Sequence, residues 1–116
     1  MKQGDIILVP MQQSDGELKN RPAVFLKEMP VYRDILVCGI STQLHQVVPN
    51  FDEMITAEDH DFQSSGLVRE SLVRLGYIAV IPRRRILGSI GSISIERCQR
   101  LLNRLSNYLT LDSPLK

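Results

Sequence analysis

Gly4-Asp5-Ile6-Ile7-Leu8-Val9-Pro10, then Ser14-Asp15-Gly16, then Asn20-Arg21-Pro22-Ala23-Val24-Phe25-Leu26: the chain opens as strand, polar turn, strand. Gly4 to Val9 and Ala23 to Lys27 are apolar runs, and Ser14-Asp15-Gly16 supplies turn chemistry between them, so the two are expected to pair as a long hairpin. Arg21 stands where the solvated loop becomes an apolar strand, and Pro22 fixes the backbone just beyond it. An arginine held so rigidly can grip a phosphate; equally, it can pair with Asp15 or Glu17 across the loop.

Working outward, Ile35-Leu36-Val37-Cys38-Gly39-Ile40 is a near-continuous apolar run ending in Ser41-Thr42-Gln43. It reads as a strand buried on both faces whose polar end emerges at an edge, where a site could form. Residues 49–65 are polar and acidic around Met54-Ile55 and read as a loop with at most one short strand. Gly66-Leu67-Val68 with Ser71-Leu72-Val73-Arg74-Leu75 forms a strand pair or one bent strand, Tyr77 to Ile81 the next, and Pro82 ends regular pairing. Five or so short strands punctuated by glycine and proline predict a small β-barrel. From Ile95 the period becomes helical: Ile95, Cys98, Leu101, Leu102, Leu105, Tyr108 and Leu109 share a face, with Ser94 as N-cap and Glu96 in the first turn. The fold class is therefore mainly β with one C-terminal amphipathic helix, in a single domain spanning residues 1–116.

Composition narrows the possibilities without choosing among them. The 116 residues are 43% apolar, enough for a core yet near the size at which a subunit interface helps, so a homodimer is expected. Fourteen basic against thirteen acidic side chains leave nucleic-acid binding to local clustering of arginines. Cys38 and Cys98 read as small buried hydrophobes in a reducing compartment. With no signal-type or membrane-length apolar stretch, a cytoplasmic location and no membrane partner are expected.

His45 and His60 lie in polar segments without a partner at a recognisable spacing and read as surface histidines. No His, Cys or carboxylate cluster has metal-ligand spacing, and the acidic run from Glu58 to Asp61 reads as a solvated loop, so neither metal nor cofactor is expected. What remains is arginine and hydroxyl chemistry: Arg21 after the first loop, Ser41 with Thr42 and Gln43 at the end of the buried strand. Singly, each can be structural, with the hydroxyls capping a strand end. Arg83-Arg84-Arg85 is either a solvated cap or a docking surface, and Arg97, Arg100 and Arg104 read as a solvated helix face. Tyr32 and Phe51 are candidates for base stacking or for partial core packing.

These words, in this order, resemble the MazF/PemK family of toxin endoribonucleases from toxin–antitoxin modules. The resemblance implies an SH3-like barrel with a C-terminal helix that cleaves single-stranded RNA at selected sequences without a metal. The 2′-hydroxyl attacks, leaving a 2′,3′-cyclic phosphate and a 5′-hydroxyl. It implies Arg21 of the Arg-Pro word as the principal catalytic residue, assisted by Ser41, where the family more often has threonine. In the PemK branch an arginine matching Arg74 is followed two positions later by an aspartate; here that position is Gly76. Asp15, Thr42, Gln43, Arg74, Arg83 and Arg84 are the candidates for contacting RNA. A homodimer silenced by an antitoxin is also implied. The alternative is a non-catalytic binding protein of the same fold, a CcdB-like gyrase poison or an inactive regulatory paralogue; the C-terminal Trp-Gly-Ile word of CcdB is absent.

Overall fold

The computed structural model describes residues 1–111, which form a curled, antiparallel six-stranded sheet with a C-terminal helix. The strands are β1 (Asp5–Gln12), β2 (Leu18–Met29), β3 (Asp34–Ser41), β4 (Glu53–Ile55), β5 (Ser71–Ile81) and β6 (Gly88–Ser92). The helices are the single turn α1 (Phe62–Ser65) and the long α2 (Ile95–Thr110). Sheet order is β4-β5-β3-β2-β1-β6.

The first hairpin forms as expected but reaches further, with β1 and β2 paired from Ile6↔Val24 to Gln12↔Leu18. Two prolines lie inside it, Pro10 and Pro22. β1 meets β6 only as far as Leu8, and β2 meets β3 only from Ala23. Both prolines therefore sit where their strand has a neighbour on one side only, the position a sheet tolerates for a residue without an N–H. The arm beyond them projects past the rest of the sheet.

β3 lies inside the sheet between β5 and β2, and its alternation splits two cores. Ile35 and Val37 join Ile7, Val9, Met11, Ala23, Phe25 and Ile81 on one face. Cys38 and Ile40 join Ile6, Val24, Leu26, Val73 and Leu75 on the other, under Cys98, Leu101 and Leu105 of α2. Both cysteines are free and buried, and burial pushes their thiols up.

Four readings of the sequence are corrected. Ser71–Ile81 is one strand, and its pairing with β3 jumps from Cys38↔Ile78 to Gly39↔Arg74, leaving Leu75, Gly76 and Tyr77 without a β3 partner. This bulge is what made the stretch look like two strands. Buried Asp52 stabilises it by accepting from the amide of Leu75 at 3.0 Å. Gly66 is the left-handed cap of α1 rather than a strand start (φ 74°). A Cβ there would lie 2.0 Å from the carbonyl oxygen of Ile90, so α1 seats against β6 only with glycine. β6 itself, Gly-Ser-Ile-Gly-Ser, carries too little apolar pattern to be read as a strand.

The fourth correction concerns α2. It starts at the expected place, with the Ser94 hydroxyl accepting from the Arg97 amide. Ile95, Tyr108 and Leu109, however, are exposed, and Arg97 is 5% exposed. All five N–H groups of its guanidinium are engaged: two by Asp61, and one each by Glu53, Asp59 and the carbonyl of Met54, at 2.8–3.0 Å. Arg100 and Arg104 also bridge to Glu53. The acidic loop and the arginine row, which read separately as two solvated faces, are each other's partners. Burial alone would raise the Asp61 carboxyl, but hydrogen bonds from Arg97 and the Ser94 amide, with the Arg97 charge, hold it at about 2.

Candidate active site

Ala23 of β2 stands opposite Gly39 of β3, which stands opposite Arg74 of β5. Because side chains two residues apart in a strand share a face, Arg21, Gly39, Ser41 and Arg74 present themselves on one side of three adjacent strands. This is the face that carries Ala23 and Val37, at the end where the sheet gives way to the projecting hairpin arm.

There the surface opens into a cleft of about 620 Å³. Gln12, Gln13, Ser14 and Arg21 of the hairpin arm line one side. Ser41, Thr42 and Gln43, with Gln46 of the following helical turn, line another, and Arg74 and Tyr77 complete it. No carboxylate is among the described lining residues. Five arginines elsewhere meet acids: Arg97, Arg100 and Arg104 on Glu53, Arg33 and Arg83 on Glu28. In the cleft, Arg21 instead donates to the neutral Gln13 Oε1 at 2.9 Å, and the Arg74 guanidinium lies 5.8 Å from the centre of the Tyr77 ring. Two guanidinium charges without a counter-charge among the described residues make this an anion-seeking surface.

Ser41 Oγ accepts from the Gln43 amide at 3.0 Å, the strand-end cap that the sequence left open. That bond uses a lone pair and leaves the hydroxyl proton to be donated into the cleft. The chain thus turns sharply after β3 and keeps Ser41, Thr42 and Gln43 together at its rim.

Of the residues singled out from sequence, Arg21, Ser41, Thr42, Gln43 and Arg74 are brought together here. Asp15 is not: its carboxylate caps the hairpin turn, accepting from the Glu17 amide at 3.0 Å, and Arg21 pairs with neither acid. Arg83 and Arg84 lie at the opposite end of the sheet, just beyond β5. Arg83 bonds there to Glu28 and to the carbonyl of Arg33. Gly76 does not line the cleft; a Cβ there would meet the Phe51 ring at 3.8 Å. Phe51 itself packs on the core and against Tyr108, whereas Tyr32 is 86% exposed at the β2–β3 turn. His45 and His60 are exposed and outside the cleft.

Gln12, Gln13, Gln46 and Tyr77 are lining residues that the sequence did not reveal. The glutamines carry no pattern, and Tyr77 reads as an ordinary strand aromatic until the bulge is known. Among the described residues, no group of three or more His, Cys, Asp or Glu is placed to hold a metal ion, and no helix is long and apolar enough to cross a membrane.

A sequence model of the PemK-like, MazF-like toxins of type II toxin-antitoxin systems matches residues 2–109. No curated protein matches the chain. Among solved structures it is similar to the Mycobacterium tuberculosis toxin MazF-mt6, with a TM-score of 0.68 at 18% identity over 94% of this chain and 99% of that one. It is also similar to an endoribonuclease solved in complex with its cognate antitoxin from a mycobacterial species, with a TM-score of 0.70 at 11% identity over 98% and 99%. At these identities the likeness is one of fold.

Proposed function

Because the chain belongs to the PemK-like, MazF-like family of type II toxin–antitoxin toxins, we propose that it is a cytoplasmic endoribonuclease that cleaves single-stranded RNA at the Arg21–Ser41–Arg74 cleft. The observation that carries this reading is the pair of guanidinium groups facing a cleft with no carboxylate among its described lining residues, beside a hydroxyl free to donate.

RNA supplies its own nucleophile. The 2′-oxygen attacks the adjacent phosphorus, the bond to the 5′-oxygen breaks, and the products are a 2′,3′-cyclic phosphate and a 5′-hydroxyl. Negative charge grows on the non-bridging oxygens as this happens, and fixed cationic donors stabilise it more than they stabilise the ground state. Arg21 and Arg74 take that role, with Ser41 donating to a phosphate oxygen. A guanidinium holds its proton too tightly to shuttle one. With no histidine or carboxylate among the described lining residues, water takes the 2′-proton and returns one to the 5′-oxygen. Thr42, Gln43 and Gln46 offer the amide and hydroxyl groups suited to reading the edges of unstacked bases.

Two further parts belong to the same reading. The exposed apolar residues of the open β5 edge, Ile78 and Val80, support a two-fold homodimer. An acidic, apolar antitoxin segment would occupy the basic cleft in place of RNA, so inhibition should be competitive.

The test is incubation of the purified protein with a long messenger RNA in EDTA. Discrete fragments ending in 2′,3′-cyclic phosphate are expected. An intact substrate, with the protein folded and RNA retained, would move the chain to a binding-only role.

A further inference from the structure

Tyr77 has an unusual set of contacts for a residue in the middle of a strand. It is the last residue of the β5 bulge, and its hydroxyl donates across β3 to the carbonyl oxygen of Gln12, at the end of β1. The next residue, Gln13, holds the Arg21 guanidinium at 2.9 Å, and the Gln13 amide closes the hairpin turn on the carbonyl of Glu17 at 2.7 Å. On its other side the Tyr77 ring lies 5.8 Å from the Arg74 guanidinium, within cation–π range. Its path across β3 exists because residue 39 is glycine: a Cβ there would stand 2.7 Å from the ring.

We propose that Tyr77 is a positioning residue for both arginines of the cleft, fixing Arg21 through Gln12 and Gln13 and Arg74 through its ring. The inference rests on the endoribonuclease reading above. The hairpin arm has no second strand beside it beyond Leu8 and Ala23, so by itself it would leave Arg21 on a mobile lever. Tyr77 ties that lever to the central sheet 65 residues away in sequence. Preorganised donors gain their catalytic worth from being in place before charge develops, so loosening the tie lowers the rate of the chemical step more than it weakens RNA binding. The two halves of the side chain separate the two effects. The hydroxyl serves Arg21, and the ring serves Arg74.

The experiment uses the full chain and three variants, Tyr77→Phe, Gln13→Ala and their double, with kcat and KM measured on one RNA substrate. Amide hydrogen exchange of residues 12–20 is followed without RNA. Tyr77→Phe is expected to lower kcat about five- to tenfold, the worth of one hydrogen bond, with KM within about twofold. Gln13→Ala should fall similarly, and the double variant should be little worse than either single, because both act through Arg21. Exchange at the Gln13 and Gly16 amides should quicken in Tyr77→Phe. Parental kcat in Tyr77→Phe, multiplying losses in the double variant, or unchanged exchange in the arm would each overturn the proposal. If the parent cleaves no RNA, the endoribonuclease reading fails instead, and the exchange measurement still decides whether Tyr77 holds the arm.

Discussion

Arg21 and Arg97 are the same side chain in opposite circumstances. Arg97 is buried with three carboxylates around it, while Arg21 is exposed and held by one neutral amide oxygen. The first is part of the fold and the second is available to a ligand. Arg21→Ala is therefore expected to melt with the parent and to cleave RNA at least about a hundredfold more slowly, since a preorganised cationic donor is lost. Parental cleavage would make Arg21 structural. Ser41→Ala should also be slowed, whereas Ser41→Thr should cleave as well as the parent, because the hydroxyl is kept and the added methyl restricts its rotamer. Equal rates in Ser41→Ala and parent would remove that hydroxyl from the site. At this scale the sequence was informative where chemistry is local: Arg21 beside Pro22, and Ser41 at the polar end of an apolar run, stand out by their neighbours. Gln13 and Tyr77 do not, because their meaning comes from partners across the sheet.

At the scale of elements, the hairpin, the buried third strand and the start of α2 were all legible, since each follows from a period and a boundary residue within a few positions. The face that α2 buries was misread at Arg97, because periodicity counts an arginine as polar whether or not acids wait beneath it. What waits is Glu53 of β4, with Asp59 and Asp61 from the loop that follows, whose placement depends on the α1–β6 contact. Removing the cation strands the buried Asp61 and Glu53, so Arg97→Met should destabilise the protein by about 3–5 kcal/mol in urea denaturation. The acid side of the pair gives a pH dependence. Asp61 titrates at about 2 in the folded protein, below the 3.8 of an ordinary aspartate. Its contribution is thus full above pH 4 and is lost as pH falls toward 2. Asp61→Asn should be less stable than the parent at neutral pH, and its urea midpoint should change less between pH 4 and pH 2. Parallel pH profiles for the two would place the acid sensitivity elsewhere.

For the whole molecule, the open side of the sheet matters most. β4 pairs only with Ser71, Leu72 and Val73 of β5, whereas Ile78 to Ile81 pair with β3 alone and, among the described residues, leave their outer edge unpaired. Ile78 and Val80 on that stretch are 44% and 51% exposed, opposite Cys38 and Leu36 and thus on the α2 side. An edge strand carrying exposed branched apolar residues pairs readily with another chain unless something covers it, and a second copy would cover both edges at once. Sedimentation of the parent at micromolar concentration should accordingly report a dimer, and Ile78→Asp with Val80→Asp should report a monomer, because two buried carboxylates facing their own copies across a two-fold axis repel. The cleft lies on the other face of the sheet, and Arg21, Arg74 and Ser41 come to it from the same chain. The monomeric variant is therefore expected to retain cleavage of short RNA to within about tenfold. It should lose more on a long substrate, whose two ends can engage both clefts of a dimer at once. Equal losses on short and long RNA would mean that dimerisation shapes the cleft itself, and a dimeric Ile78→Asp, Val80→Asp variant would put the interface on another surface.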